Sequence, residues 1–262
     1  VSKYEAKQLS NYQNSFDKHV DTWDRVYRLR GEINLPGNEN IHGLLGPRLA
    51  PEMRAELPAV EQMTRLVPFQ EKCILTQGES VFFEEQVYYA DSTVFQVFPL
   101  HFLHGTAASA LVSDGQMVIS ERMARKYFGK TNVIGEGLKL NNAKDFVITG
   151  VVRDLPDNVH HKMDLLISWK SFGPEIQGRV ELKESENYWR PFAFQFILLG
   201  SHNRIEEVEA AFPAFYEKYM AEFGNFLKAE FKLILTPLSD LHFTPPYAYD
   251  LPKGNRSYSY LL

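Results

Sequence analysis

Three features of this 262-residue sequence predict an α+β fold, with sheets of mostly antiparallel strand pairs covered by helices on one face. The runs KCILTQGE and VFFEEQVYYA are rich in β-formers and meet at Gly78-Glu79-Ser80, the pattern of a hairpin. PFAFQFILLG is apolar on both faces, with Phe192, Phe194, Phe196 and Leu198 set against Ala193, Ile197 and Leu199, as a central strand requires. ERMARKYF puts Met123, Ala124, Tyr127 and Phe128 at helical spacing. It lies between Ser120, a good N-cap, and Gly129, a left-handed stop.

Length and composition fit that class. The chain is long enough for one large domain or two small ones, either of which buries a sizeable core. Hydrophobic residues make up 44% of it and charged residues 23%, the ordinary globular range, so a folded, soluble protein is expected. A net charge of -5, a pI near 5.9 and the lack of any basic run argue against nucleic acid as a partner. The single Cys73 forms no internal disulfide, and its β-rich setting predicts a buried, inert thiol. No run approaches the roughly 18 apolar residues of a spanning helix, and VSKYEAKQ has no signal-peptide character. A soluble piece of a longer chain is the expectation.

Residues 1–25 are polar, with Tyr4, Leu9, Tyr12 and Phe16 spaced as one helical stripe. VYRLRGEI alternates Tyr27 and Leu29 with Arg28 and Arg30, as a half-buried strand does. NLPGNENIHGLLGP is rich in turn formers and reads as irregular. Pro51 and Pro58 suit first helical turns. They make APEMRAEL a short turn and PAVEQMTRLV a helix with Val60, Met63 and Val67 on one side. Asp91-Ser92 is placed to cap TVFQVF. LKL and FVITGVV read as strands joined through Asn141 and Asn142, which tolerate positive φ, and LLISW as a strand after the LPDN turn. Residues 170–190 read as a loop with some helix. Asn203 and Glu206 open a helix with Ile205, Val208, Phe212, Tyr216 and Tyr219 inward and Pro213 as a kink. FKLILT is the last strand, and a proline-broken segment follows it.

No catalytic chemistry is legible. GxSxG, HExxH and P-loop patterns are absent, and no Ser, His and Asp set stands out. His160 and His161 lie near Asp157 and Asp164, but adjacent histidines on an extended segment point to opposite faces and the spacing fits no zinc pattern. A turn with exposed imidazoles is expected there. His101 and His104 lack an acidic or Cys partner at a recognisable interval and read as core-edge residues. Gly135-Glu136-Gly137 precedes a strand instead of opening a helix, so it reads as turn glycines. Glu84-Glu85 and Glu206-Glu207 are paired carboxylates expected on solvated faces. Asn255-Arg256-Ser257 fits a glycosylation acceptor, a short pattern that carries no weight alone. The aromatic residues lie mostly at core spacing. The expected site is therefore empty: no catalytic, cofactor-binding or metal-ligating residue, and no cofactor.

Five stretches follow one another between about residues 11 and 246. They are NSFDKHVDTWDRVYRLR, YADSTVFQVFPLHFLHGT, MVISERMARKYFG with IGEGLKL, FVITGVVRDLPDNVHHKMDLLIS, and PLSDLHFTP. In that order and spacing the sequence resembles the periplasmic core domain of MacB-like ABC transporter permeases, a group that includes FtsX-like and lipoprotein-releasing permeases. It looks most like those of Bacteroidetes and related Gram-negative bacteria. The resemblance implies a domain between the first two transmembrane helices of a four-helix permease. Residues 1–20 would be a membrane-proximal stalk helix and 241–262 the return segment toward the second transmembrane helix. Residues 21–90 and 164–240 would form a porter-like subdomain, a βαβ-containing sheet-and-helix layer. Residues 91–163 would be an inserted small α+β subdomain, like that called Sabre in MacB.

The function so implied is mechanical. ATP turnover at a separate nucleotide-binding domain or subunit closes a permease dimer, and the stalks relay that motion to the periplasmic domains. The implied partners are that ATPase, a second permease copy, and a periplasmic adaptor with an outer-membrane channel, or a lipoprotein. The implied location is the periplasmic side of a Gram-negative inner membrane. The chain carries no Walker motif, and the family domain brings no catalytic residue, so the domain is not expected to be an enzyme. A free-standing extracytoplasmic module that binds or senses a small ligand is the competing reading. A strong rise in melting temperature with one small molecule, without a neighbouring ATPase gene, would favour it. A hydrolase has no visible nucleophile and base pair to support it.

Overall fold

The computed structural model describes residues 7–8, 12–35, 38–69, 72–200 and 204–244. In chain order the elements begin with β1 (Val26–Leu35), β2 (Asn38–His42), α1 (Leu49–Glu56), β3 (Val60–Pro68), β4 (Cys73–Gln77), β5 (Ser80–Glu84), β6 (Val87–Ala90) and the single turn α2 (Val94–Val97). There follow β7 (Phe102–Gly105), β8 (Gln116–Ser120), α3 (Glu121–Phe128), β9 (Gly137–Leu140), β10 (Lys144–Val152), β11 (Leu165–Ser168) and α4 (Pro174–Val180). The last are β12 (Phe194–Leu199), α5 (Ile205–Tyr219), α6 (Ala221–Leu227) and β13 (Glu230–Pro237). This is the expected mixed α and β class, and it forms two compact units. The first comprises Val1–Met63, Pro156–His160 and Leu182–Leu262; the second comprises Thr64–Leu155 and His161–Glu181.

The first unit is built on β1. It is antiparallel to β13 from Tyr27↔Pro237 to Asn34↔Glu230, and to β12 from Val26↔Leu198 to Leu29↔Gln195. β12 and β13 therefore run parallel to each other, and α5 and α6 make the crossover between them, which gives the unit its βαβ character. All six residues of β12 are buried, as its two-faced apolarity predicts. The helices close one core: Leu49 and Met53 of α1, and Val208, Phe212 and Phe215 of α5, pack with Leu29, Ile197, Trp189 and Met220. α5 is continuous through Pro213.

The second unit orders its strands β3-β6-β11-β8-β10-β9-β4-β5, with β7 added to β10. β6–β11 and β8–β10 are parallel, and β3–β6, β8–β11, β7–β10, β9–β10, β4–β9 and β4–β5 are antiparallel. α3 lies in the crossover from β8 to β10, and its Met123, Ala124 and Tyr127 meet Leu75, Ile119, Leu138, Phe146 and Ile148 in a separate core. β10 alternates as a one-sided strand should: Phe146 and Ile148 are fully buried, whereas Val147 is exposed. This unit reaches beyond residues 91–163 on both sides, because β9 pairs with β4 and β11 pairs with β6.

Several local expectations are corrected. The segment expected as irregular after residue 33 contains β2, which returns on β1 from Gly31↔His42 to Leu35↔Asn38. PAVEQMTRLV is the strand β3 and not a helix; its end pairs with β6 from Leu66↔Ala90 to Pro68↔Tyr88. Pairing of the backbone outweighs the helical spacing of Val60, Met63 and Val67. APEMRAEL is more than a turn, since α1 runs for eight residues. β1 is not half-buried, because Arg28 and Arg30 are 1% and 4% exposed. The hairpin at Gly78-Glu79 forms as expected, but VFFEEQVYYA divides into β5 and β6. Tyr4, Leu9, Asn203, Asn255 and most of the return segment lie outside the described residues. Among those described, no helix is long and apolar enough to cross a membrane.

Candidate functional site

Four groups of polar side chains stand out, and each is built from residues far apart in sequence. In the second unit, Glu84 closes β5 with its side chain turned inward. It accepts a hydrogen bond from the Tyr127 hydroxyl at 2.7 Å and pairs with the Lys126 ammonium, both on α3. Burial, then the adjacent Glu84 carboxylate, pushes the Tyr127 phenol far above its ordinary range. On the same helix Arg122 forks onto Asp164, with Nε at 2.8 Å from Oδ1. Asp154 accepts from the Arg122 backbone N–H at 2.8 Å and so caps α3, while Ser120 makes no side-chain cap. Glu84, Arg122, Lys126 and Asp164 share an open cleft of about 430 Å³ with Phe83, Glu85, Gln86 and Met123. Every buried acid there has a cation, so the cleft holds charge pairs without a poised nucleophile.

The second group lies in the core of the same unit. The Arg65 guanidinium grips Asp91, with Nε at 2.9 Å and Nη2 at 2.7 Å, and lies 3.4 Å from the centre of the Trp169 ring. Glu181 accepts from Trp169 Nε1 at 3.0 Å and extends the set. Asp91 thus serves β3 rather than the cap expected of it; no side-chain cap is formed at Thr93.

The third group belongs to the first unit. Asp17 is buried, accepts from the His160 backbone N–H at 2.9 Å and pairs with His160 Nδ1. His242 bonds Gln13 and stacks on Phe16, with ring centroids 3.7 Å apart. Burial, then neighbouring His160, lowers the His242 imidazole to about 4. Burial likewise lowers His19. His160 and His161 do face opposite ways, but neither is the exposed turn residue expected. His160 meets Asp17, whereas His161 is 4% exposed and lies 5.9 Å from the Tyr88 ring. Sequence reasoning had no signal for the partners, since Asp17 and His160 are 143 residues apart.

The fourth group, also in the first unit, is a cleft of about 560 Å³ between the 3-10 turn Ser185–Tyr188 and α6. Phe223 and Phe226 line it, with Lys183, Glu184, Glu186 and Glu222 at its rim.

The remaining sequence candidates are placed as follows. His101 is exposed, and His104 faces Thr131 Oγ1 at 3.4 Å. Gly135 turns with φ 85° before β9. Cys73 is buried, and burial, then the charge of Glu84, pushes its thiol up to about 11, so the reactive thiolate is scarce. Glu84 is a buried, paired carboxylate and not the solvated one expected; Glu85, Glu206 and Glu207 are exposed. Among the described residues no three His, Cys, Asp or Glu side chains are placed to hold a metal ion.

Comparison with known proteins adds the family. The MacB-like periplasmic core domain model matches residues 9–215. A domain assigned to a permease of Porphyromonas gingivalis superposes with a TM-score of 0.70 at 22% identity, covering 90% of this chain and 94% of that one. The periplasmic region of MacB from Actinobacillus actinomycetemcomitans gives a TM-score of 0.54 at 13% identity, over 83% and 90% of the two chains. The extracellular domain of the noncanonic ABC-type transporter YknZ from Gram-positive bacteria gives 0.50 at 12% identity, over 80% and 99%. No curated protein matches the sequence significantly. At these identities the structures show a shared fold, while the family model spans most of the chain. The chain belongs to the MacB-like periplasmic core domain family of ABC transporter permeases.

Proposed function

We propose that this domain relays ATP-driven conformational change from a permease to partners or cargo in the periplasm. The observation that carries the reading is the family match over residues 9–215. The nucleotide-binding component lies on another domain or subunit and a second permease copy completes a dimer. A periplasmic adaptor with an outer-membrane channel, or a lipoprotein, receives the motion. In this reading residues 21–90 and 164–240 form the porter-like subdomain and residues 91–163 the Sabre-like insert, with the inner membrane beyond the stalk, residues 1–20, and the return segment, residues 241–262. A relay needs bodies that move without deforming. Two separate cores and buried charge pairs such as Arg65–Asp91 suit that demand.

The gene that encodes the chain provides the first test. Apolar spans are expected just before Val1 and after Leu262, with an ATPase gene nearby or a fused ATPase domain; absence of both spans sinks the proposal. The second test uses the full permease in lipid with its ATPase. Spin labels at exposed Glu209 in the first unit and Asp145 in the second should change separation between the ATP-bound and nucleotide-free states. Unchanged separations between labels on both copies would exclude a relay.

A further inference from the structure

The cleft between the 3-10 turn Ser185–Tyr188 and α6 has an unusual pairing of properties. Phe226 is 78% exposed, more than any other large apolar side chain described. It is the outer rung of an aromatic series that starts in the core. Buried Trp189 meets Phe223 edge to face at 6.4 Å, and Phe223 stacks on Phe226 at 6.0 Å. The rungs are fixed from below. Trp189 Nε1 donates to the Met220 carbonyl at 3.0 Å, and the Phe223 backbone N–H donates to Ser185 Oγ at 3.0 Å. Gly224 admits the Trp189 ring so closely that an added Cβ would lie 2.7 Å from it. Phe226 is thus held in water by a rigid support, and covering it would gain apolar burial at little ordering cost.

The rim supplies the sign of the partner. Glu184 and Glu222 are exposed and form no ion pair among the described residues, and Glu186 adds a third carboxylate, shared with Arg190. Among the described residues Lys183 is the one cation lining the cleft, and it is committed to buried Glu52 at 2.7 Å. Unpaired carboxylates beside an aromatic face favour a guanidinium or ammonium group with an apolar neighbour. A second copy of this chain is disfavoured, because a two-fold contact would set the acidic rim of Glu184, Glu186 and Glu222 against an identical acidic rim. An anionic lipid surface is disfavoured by the same charge.

We infer that this cleft docks a basic amphipathic segment of a partner protein, with an apolar side chain seated on Phe223 and Phe226 and Arg or Lys at Glu184 and Glu222. The inference stands on the cleft alone and does not require the relay. It is tested on the 262-residue chain by NMR titration with a synthetic amphipathic helix that carries Arg and Lys beside a Leu face. The control is the same helix with Glu at each basic position. Signals of Ser185, Phe223 and Phe226 are expected to shift with the basic helix only. Phe226→Ser should weaken binding about tenfold, and the double variant Glu184→Gln, Glu222→Gln about fivefold with loss of most salt dependence. All three positions are exposed, so melting temperatures should match the parent chain. Equal binding of the acidic helix, shifts centred on another face, wild-type affinity in both variants, or self-association through Phe226 overturns the inference.

Discussion

At the scale of single residues, buried carboxylates such as Glu84, Asp91 and Asp164 are paired with cations, and burial lowers the imidazoles of His19, His42 and His242. The Arg65–Asp91 fork is a deeply buried charge pair, and its worth is best seen by halves. Asp91→Asn should cost about 3 kcal/mol in denaturant unfolding, since it leaves a buried guanidinium without its counter-charge. Arg65→Met with Asp91→Leu should cost clearly less than either single change, because no ion is then buried alone. The histidines respond to acid. In the unfolded chain an imidazole binds its proton near pH 6.5, whereas folded His242 holds out to about 4. The neutral form is therefore favoured by folding, so stability is complete above pH 6.5 and drains away as the pH falls toward 4. The melting temperature should drop across that window, and His242→Phe should flatten the drop; an equal slope in the variant would refute the assignment. Cys73, raised to about 11 and buried, should resist thiol reagents at neutral pH until denaturant is added.

At the scale of elements, what the sequence announced was local and what it hid was long-range. The β4–β5 hairpin was legible because Gly78, at φ 58°, marks its own turn. Gly78→Val should lower stability by about 1–2 kcal/mol by placing a branched side chain in left-handed backbone, measurable by chemical denaturation. α3 was legible from its apolar spacing and from Gly129, although its cap comes from Asp154 and not from the adjacent Ser120. β3 was misread because Pro58 and the spacing of Val60, Met63 and Val67 imitate a helix, while its pairing partner β6 lies some twenty residues on. Glu84 was assigned to solvent for a similar reason: Lys126 and Tyr127, which draw it inward, are 42 and 43 residues away. The burial of β12 on both faces was legible from its unbroken apolar run. The exposed Phe226 was not, because its exposure follows from how α6 seats on Trp189.

At the scale of the whole molecule, two cores answer to different mutations. Phe146→Ala removes a fully buried ring from the second unit and should cost about 3–5 kcal/mol there. Hydrogen exchange should register the loss first in β8, β9 and β10, with β1 and β12 of the first unit protected for longer. Simultaneous loss of protection in all five strands would show that the units unfold as one.

The pairing of β1 with β12 and β13 also fixes a timetable. Tyr27 finds its place beside Pro237 only after some two hundred residues have been made, so the first unit has a long-range topology that closes slowly. The second unit draws on Thr64–Leu155 and His161–Glu181 and has all its strands before β12 exists. A nascent chain halted after Gly200 should therefore already protect β8 and β10 from protease. Its β1 would remain an open edge, the stretch most in need of a chaperone until the last strand arrives.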